Sequence, residues 1–155
     1  MKSFPDENPI ENIMDTLIGL PEYLRKPMLE GRLKEFYTLD GQDKHEIVSS
    51  VLRTIPSFEE EKISRLIKTW MMVLSSFNGA QIVEMLRIYC QELKKNPDII
   101  QRMRVNMIIR MFNGIEDVQK EKLADCLKEA ILSFPDRNKI IDLIPRSGLQ
   151  ALGIQ

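Results

Sequence analysis

The 155-residue sequence is poor in the residues that most often carry catalysis or bind metals. It contains one histidine, two cysteines and one tryptophan, and aromatic residues make up 6% of the chain. A single histidine excludes zinc and di-iron sites that need two, and two cysteines are too few for a disulfide framework. The sequence also has no Gly-x-Gly-x-x-Gly motif, phosphate-binding loop or nucleophile elbow. We therefore expect a protein that is not an enzyme and that holds no cofactor and no metal.

The chain also lacks an excess of charge of either sign and any long hydrophobic run. Its 22 Lys and Arg residues balance 23 Asp and Glu residues, for a net charge of -1. Nucleic-acid-binding proteins usually carry a basic excess, so we do not expect a nucleic-acid partner. No apolar run is long enough to span a membrane, and the first residues lack the apolar core of a signal peptide. These features predict a soluble, cytoplasmic protein without membrane contact.

What the sequence has in abundance is apolar side chains at helical spacing. Ile10, Ile13 and Leu17 begin such a stripe, and similar stripes recur along the chain between Pro and Asn-Gly breaks. No alternating pattern of β-branched residues competes with them. We predict an all-α fold of about seven or eight antiparallel helices, forming a single domain over residues 9–155. Residues 1–8 are predicted to be a flexible N-terminal segment.

Three local patterns are specific enough to be compared directly with the structure. Residues 97–112 have the pattern of one helix that is apolar around most of its circumference. Ser57 and Glu60 have the spacing of a capping box that opens the fourth helix. Trp70 continues the apolar face of that helix and is predicted to be largely buried.

The breaks between helices also suggest an internal repeat. The sequence Phe-Asn-Gly occurs at residues 77–79 and again at residues 112–114, about one two-helix repeat apart. Asn-Gly is, however, an ordinary helix terminator in any helical protein. An irregular bundle and a short α–α repeat array therefore both remain open.

Two predicted helices carry cations in stretches that contain no acidic residue. Lys62, Arg65 and Lys68 belong to the fourth predicted helix, and Arg104 and Arg110 belong to the sixth. Equivalent helices of an α–α array line the same surface, so we hypothesise that these cations form one basic strip. Such a strip would attract an acidic protein partner. The alternative is ordinary solvated charge.

The sixth predicted helix also carries a row of methionines, Met103, Met107 and Met111, at four-residue spacing. Flexible thioethers suit an adaptable contact with a partner, but they also fill irregular cores.

These features favour a non-enzymatic protein-binding module, such as an adaptor, a scaffold or a regulatory subunit. An acidic N-terminal end and a basic strip in one molecule would also permit head-to-tail self-association into a homo-oligomer. The alternative function is a helical domain that binds a small apolar or anionic ligand between helices, with methionines lining the pocket and an arginine fixing the anion.

The remaining reactive side chains have simpler interpretations. His45 has no local side chain that would orient it as a general base, so we interpret it as a surface histidine. Cys90 and Cys126 both lie on apolar helix faces, where a free cysteine behaves as a small hydrophobic residue.

Overall fold

Apolar side chains at intervals of three and four residues organise the chain into helices, as a computed structural model of residues 9–154 shows. This range contains ten α-helices and no strands, and the predicted all-α fold is confirmed. The helices are α1 Pro9–Gly19, α2 Glu22–Tyr37, α3 Gly41–Thr54, α4 Glu60–Leu74, α5 Gly79–Lys95, α6 Asp98–Arg102, α7 Val105–Asn113, α8 Asp117–Leu132, α9 Arg137–Ile141 and α10 Arg146–Leu152. The predicted flexible segment, residues 1–8, lies outside the described residues. None of the helices described is long and apolar enough to cross a membrane.

The helices pack in two rows. Helices α1, α3, α5 and α8 contact one another in that order, and α2, α4 and α7 form the second row. Helix α1 also contacts α2 and α4, α10 contacts both α7 and α8, and α9 closes the end against α5 and α8. The apolar faces of the first five helices therefore meet in one interior between the rows.

The prediction of a single helix over residues 97–112 is wrong, because the helix is interrupted at Arg104. This residue has φ 57° and ψ 54°, in the left-handed region, and it separates α6 from α7. For a residue other than glycine, this backbone conformation costs about 1–2 kcal/mol. In return, the Arg104 guanidinium donates hydrogen bonds to the carbonyl oxygens of Phe58 at 2.5 Å and Pro56 at 3.5 Å. The break, together with two short C-terminal helices, raises the helix count above the predicted seven or eight.

The predicted capping box of Ser57 and Glu60 is also wrong. Ser57 lies in a 3₁₀ turn that begins after α3 and contains Pro56, and its hydroxyl donates to the carbonyl oxygen of Thr54 at 2.7 Å. Helix α4 starts at Glu60, with Glu59 as its N-cap residue. Because the turn follows α3 without a break, Ser57 bonds backward to the preceding helix rather than forward to α4.

A buried arginine from α2 caps the C-terminal end of α1. Arg25 of α2 is only 6% exposed, and its guanidinium donates to the carbonyl oxygens of Leu17 at 2.9 Å, Ile18 at 3.4 Å and Leu20 at 2.5 Å. The last carbonyl groups of a helix have no partner within the helix and carry partial negative charge. Arg25 therefore neutralises the C-terminal end of α1 and fixes its angle to α2.

We predict that Arg25→Met lowers the free energy of unfolding by about 2–3 kcal/mol, because it leaves buried carbonyl groups without a charged donor. Urea denaturation measures the change. Arg32→Met on the same helix is the matched control, since Arg32 is exposed and forms only a surface pair with Glu35 at 3.7 Å. Exposed pairs contribute about 0–1 kcal/mol. Equal losses in both variants would contradict the role assigned to Arg25.

Candidate functional site

The cations of the predicted basic strip do not form a free charged surface. Three of them pair with the acidic residues 59–61 that open α4. Lys62 Nζ lies 3.6 Å from an oxygen of Glu59, Arg65 Nη2 lies 2.6 Å from one of Glu61, and Arg110 Nη2 lies 2.9 Å from one of Glu60. The Arg110 pair does bring α7 beside α4, but it does so through a carboxylate.

The other two cations of the strip have different surroundings. The guanidinium of Arg104 is directed at backbone carbonyl groups of the turn before α4. Lys68 is half-buried and is the one member of the five without a hydrogen bond or ion pair to any described residue. The five residues therefore do not form a strip of unpaired cations, because carboxylates of residues 59–61 pair with three of them.

The methionine row is interrupted and points mainly into the core. Met103 follows α6 and is 9% exposed, Met107 of α7 is 1% exposed, and Met111 is half-buried against the main core. These contacts match core filling rather than an exposed partner surface.

The most prominent feature of the interior is an apolar cavity of about 480 Å³ between the two rows of helices. Side chains from α1, α2, α3, α4 and α5 line it, together with Met103 and Ile108. The volume falls within the range of about 300–1,000 Å³ that is typical of small-molecule sites. Four methionines contribute to the wall: Met14, Met71, Met85 and Met103. Sequence reasoning had placed only Met103 of this set in a candidate site.

The cavity explains why several interior side chains are only half-buried. Trp70 packs against the main core, in agreement with its predicted burial, and like Val51, Leu86 and Tyr89 it keeps a small accessible surface. All four line the cavity. Trp70 packs edge to face on Tyr89, with ring centroids 5.3 Å apart and an interplanar angle of 61°. This aromatic pair joins α4 to α5 along one wall.

The cavity reaches the surface beside α2. Its lining runs from Ile63, which is completely buried, to Arg32 and Glu35, which are exposed. Arg32 and Glu35 pair with each other at 3.7 Å, so the rim is polar while the walls behind it are apolar. The opening of the cavity is therefore flanked by an exposed ion pair.

Polar contacts also join the helices that line the cavity. Lys44 Nζ of α3 lies 2.6 Å from a carboxylate oxygen of Glu84 of α5. Tyr37, near the end of α2, donates a hydrogen bond to the carbonyl oxygen of Gln81 at 2.5 Å. These contacts tie α2 and α3 to α5 without filling the space between the rows.

His45 has a partner that local sequence could not reveal. Its Nδ1 lies 2.7 Å from Glu92 Oε2. Glu92 is 5% exposed, and its carboxylate also accepts a hydrogen bond from Lys95 Nζ at 3.3 Å. The pair borders a shallow polar groove between α3 and α5 that includes Arg53 and Lys94. Arg53 bonds to Ser49 and Lys94 to Asp136. The pair therefore acts as a further tie between α3 and α5.

The two cysteines lie in the packed interior. Cys90 and Cys126 are buried and free. Burial raises the pKa of the Cys90 thiol to about 11, and it also raises that of Cys126. A thiol with a raised pKa is largely protonated at neutral pH and is a poor nucleophile. Both side chains thus act as small hydrophobic residues.

Among residues 9–154 no group of three or more His, Cys, Asp or Glu side chains could hold a metal ion. No protein-family model, curated protein or solved structure matches the chain.

Proposed function

We propose that this chain binds a lipophilic small molecule in the cavity between its two rows of helices. The observation that carries the proposal is the cavity itself, about 480 Å³ in volume and walled by apolar side chains from five helices. An engineered cavity of about 150 Å³ is large enough to hold benzene. By that scale the cavity accommodates a molecule of about 15–20 non-hydrogen atoms.

The energetics of the empty state support this proposal. Side chains next to a void lose dispersion contacts. Water inside a space with apolar walls finds few hydrogen-bonding partners. An apolar ligand would restore the lost contacts, which is a strong driving force for binding.

The side chains around the cavity favour binding over catalysis. The ionisable residues among its described lining are Arg32 and Glu35 at the rim and Tyr89 inside. This set has no histidine, no cysteine and no pair of carboxylates that could share acid and base roles. We therefore propose carriage, storage or sensing of an apolar molecule rather than its conversion.

Substitution inside the cavity tests the proposal. We predict that Val51→Phe lowers the affinity for 3-methylbutylbenzene at least about tenfold, because the added phenyl ring occupies part of the site. Filling an apolar void also commonly stabilises a protein by about 0.5–2 kcal/mol, so the free energy of unfolding should rise. The emission of Trp70, the single tryptophan, reports binding directly because its ring faces the cavity.

Val118→Phe is the matched control for this test. Val118 lies on α8, is 79% exposed and does not line the cavity. It should bind the hydrocarbon as the wild type does and change stability by less than about 0.5 kcal/mol. A wild type that shows no saturable binding, or a Val51→Phe variant that binds equally well, would rule out the cavity as the site.

A second candidate function is protein binding through α2, as a homo-oligomer. Tyr23, Leu24 and Met28 are exposed by 75%, 41% and 46%, within two turns of one helix. Clustered exposed apolar side chains often mark an interaction surface. In a two-fold dimer the same surface on two copies would meet, and each copy would bury the apolar side chains of the other.

For this second candidate we predict that sedimentation velocity detects dimers of the wild type, and that Leu24→Glu with Met28→Glu gives monomers. Introducing like charges on both copies opposes their association. Val118→Glu with Leu132→Glu on α8 is the control, since both residues are also exposed. A wild type that remains monomeric at all concentrations would exclude self-association.

A further inference from the structure

One hydrogen-bonding side chain that lines the cavity, Tyr89, contributes no hydrogen bond to the described fold. Tyr89 lines the cavity, and its hydroxyl makes no hydrogen bond to any of the residues described. In the described part of the chain, no buried polar side-chain atom is both sealed from solvent and without a partner. The Tyr89 hydroxyl therefore faces open space. Tyr89 packs against the main core and lines the cavity, so the space that its side chain borders is the cavity.

The other tyrosines show that this arrangement is specific. Tyr37 is also partly buried, but its hydroxyl donates to the carbonyl oxygen of Gln81 at 2.5 Å. Tyr23 is 75% exposed, so water satisfies its hydroxyl. Tyr89 alone of the three combines a position in the apolar interior with an unused donor. Its ring is held edge to face against Trp70, which restricts where the hydroxyl can point.

From this geometry we infer that the ligand is a lipophilic molecule carrying a neutral oxygen acceptor, such as a ketone, an ester or an ether, that accepts a hydrogen bond from Tyr89. The inference rests on the proposed function. Apolar pockets commonly fix the orientation of a ligand through a few polar groups among hydrophobic walls. A donor without a partner in such surroundings disfavours a pure hydrocarbon and favours a ligand that satisfies it.

The charges around the cavity favour a neutral acceptor over an anion. Arg32 is the one cation among the described lining residues, and it lies at the exposed rim beside Glu35. A carboxylate placed next to Tyr89 would have no cation near it, and burying an unpaired charge is strongly unfavourable. The raised pKa of Tyr89 keeps its hydroxyl protonated, and thus a donor, at neutral pH.

A matched pair of probes tests this inference. In 4-phenyl-2-butanone a carbonyl oxygen replaces one methyl group of 3-methylbutylbenzene, so the two molecules have nearly the same shape. Titrations followed by Trp70 emission give the affinity of each probe for the wild type and for Tyr89→Phe. We expect Tyr89→Phe to weaken ketone binding about three- to tenfold, the usual effect of losing one neutral hydrogen bond. Binding of the hydrocarbon should change by less than about twofold.

Tyr37→Phe is the matched control, because it removes a hydroxyl that bonds to the backbone of α5 instead of facing the cavity. It should leave both affinities unchanged within about twofold. Equal losses for the two probes in Tyr89→Phe, or unchanged ketone binding, would overturn the role of the hydroxyl while the proposed function stands. Failure of both probes to bind the wild type would instead overturn the proposed function, and this inference with it.

Discussion

The unfilled apolar space between the two rows of helices is the constraint on which the rest of the structure depends. Five helices turn apolar faces toward one interior, yet their side chains leave about 480 Å³ between them. Protein cores are normally packed as densely as organic crystals, so a gap of this size must be held open. Ile63 and Val48 at its inner end are among the most buried side chains of the chain, while Val51 and Leu86 keep accessible surface inside. The lining thus combines fully buried side chains with side chains that keep accessible surface.

Polar side chains outside the cavity keep this geometry from collapsing. Arg25 fixes the end of α1 against α2, and Arg104 holds the turn before α4 through its carbonyl groups. Lys44 and His45 join α3 to carboxylates of α5. Each of these charged side chains has its partner on a different helix or turn. The contacts therefore fix the positions of the helices around the cavity.

Local sequence predicted the helices well because apolar spacing and Pro or Asn-Gly breaks act over a few residues. It failed where distant parts of the chain decide the outcome. The break at Arg104 depends on carbonyl groups more than 40 residues away, and the partner of His45 is equally remote. A pocket between helices was one of the alternatives, but its position could not be predicted, because an apolar stripe has the same pattern whether it faces another side chain or an empty space. The basic strip was the avoidable error, since pairs such as Arg65 with Glu61 follow the ordinary four-residue spacing on a helix.

Methyl NMR of the methionines tests the central claim most directly, because this residue type occurs both in the cavity and outside it. With ¹³C-labelled methionine methyl groups, addition of 3-methylbutylbenzene should shift the signals of Met14, Met71, Met85 and Met103, which line the cavity. The signal of Met28, exposed on the far side of α2 from the core, should stay in place. This pattern would show an apolar molecule bound between the rows of helices. Shifts confined to Met28, or no shifts at all, would contradict the account.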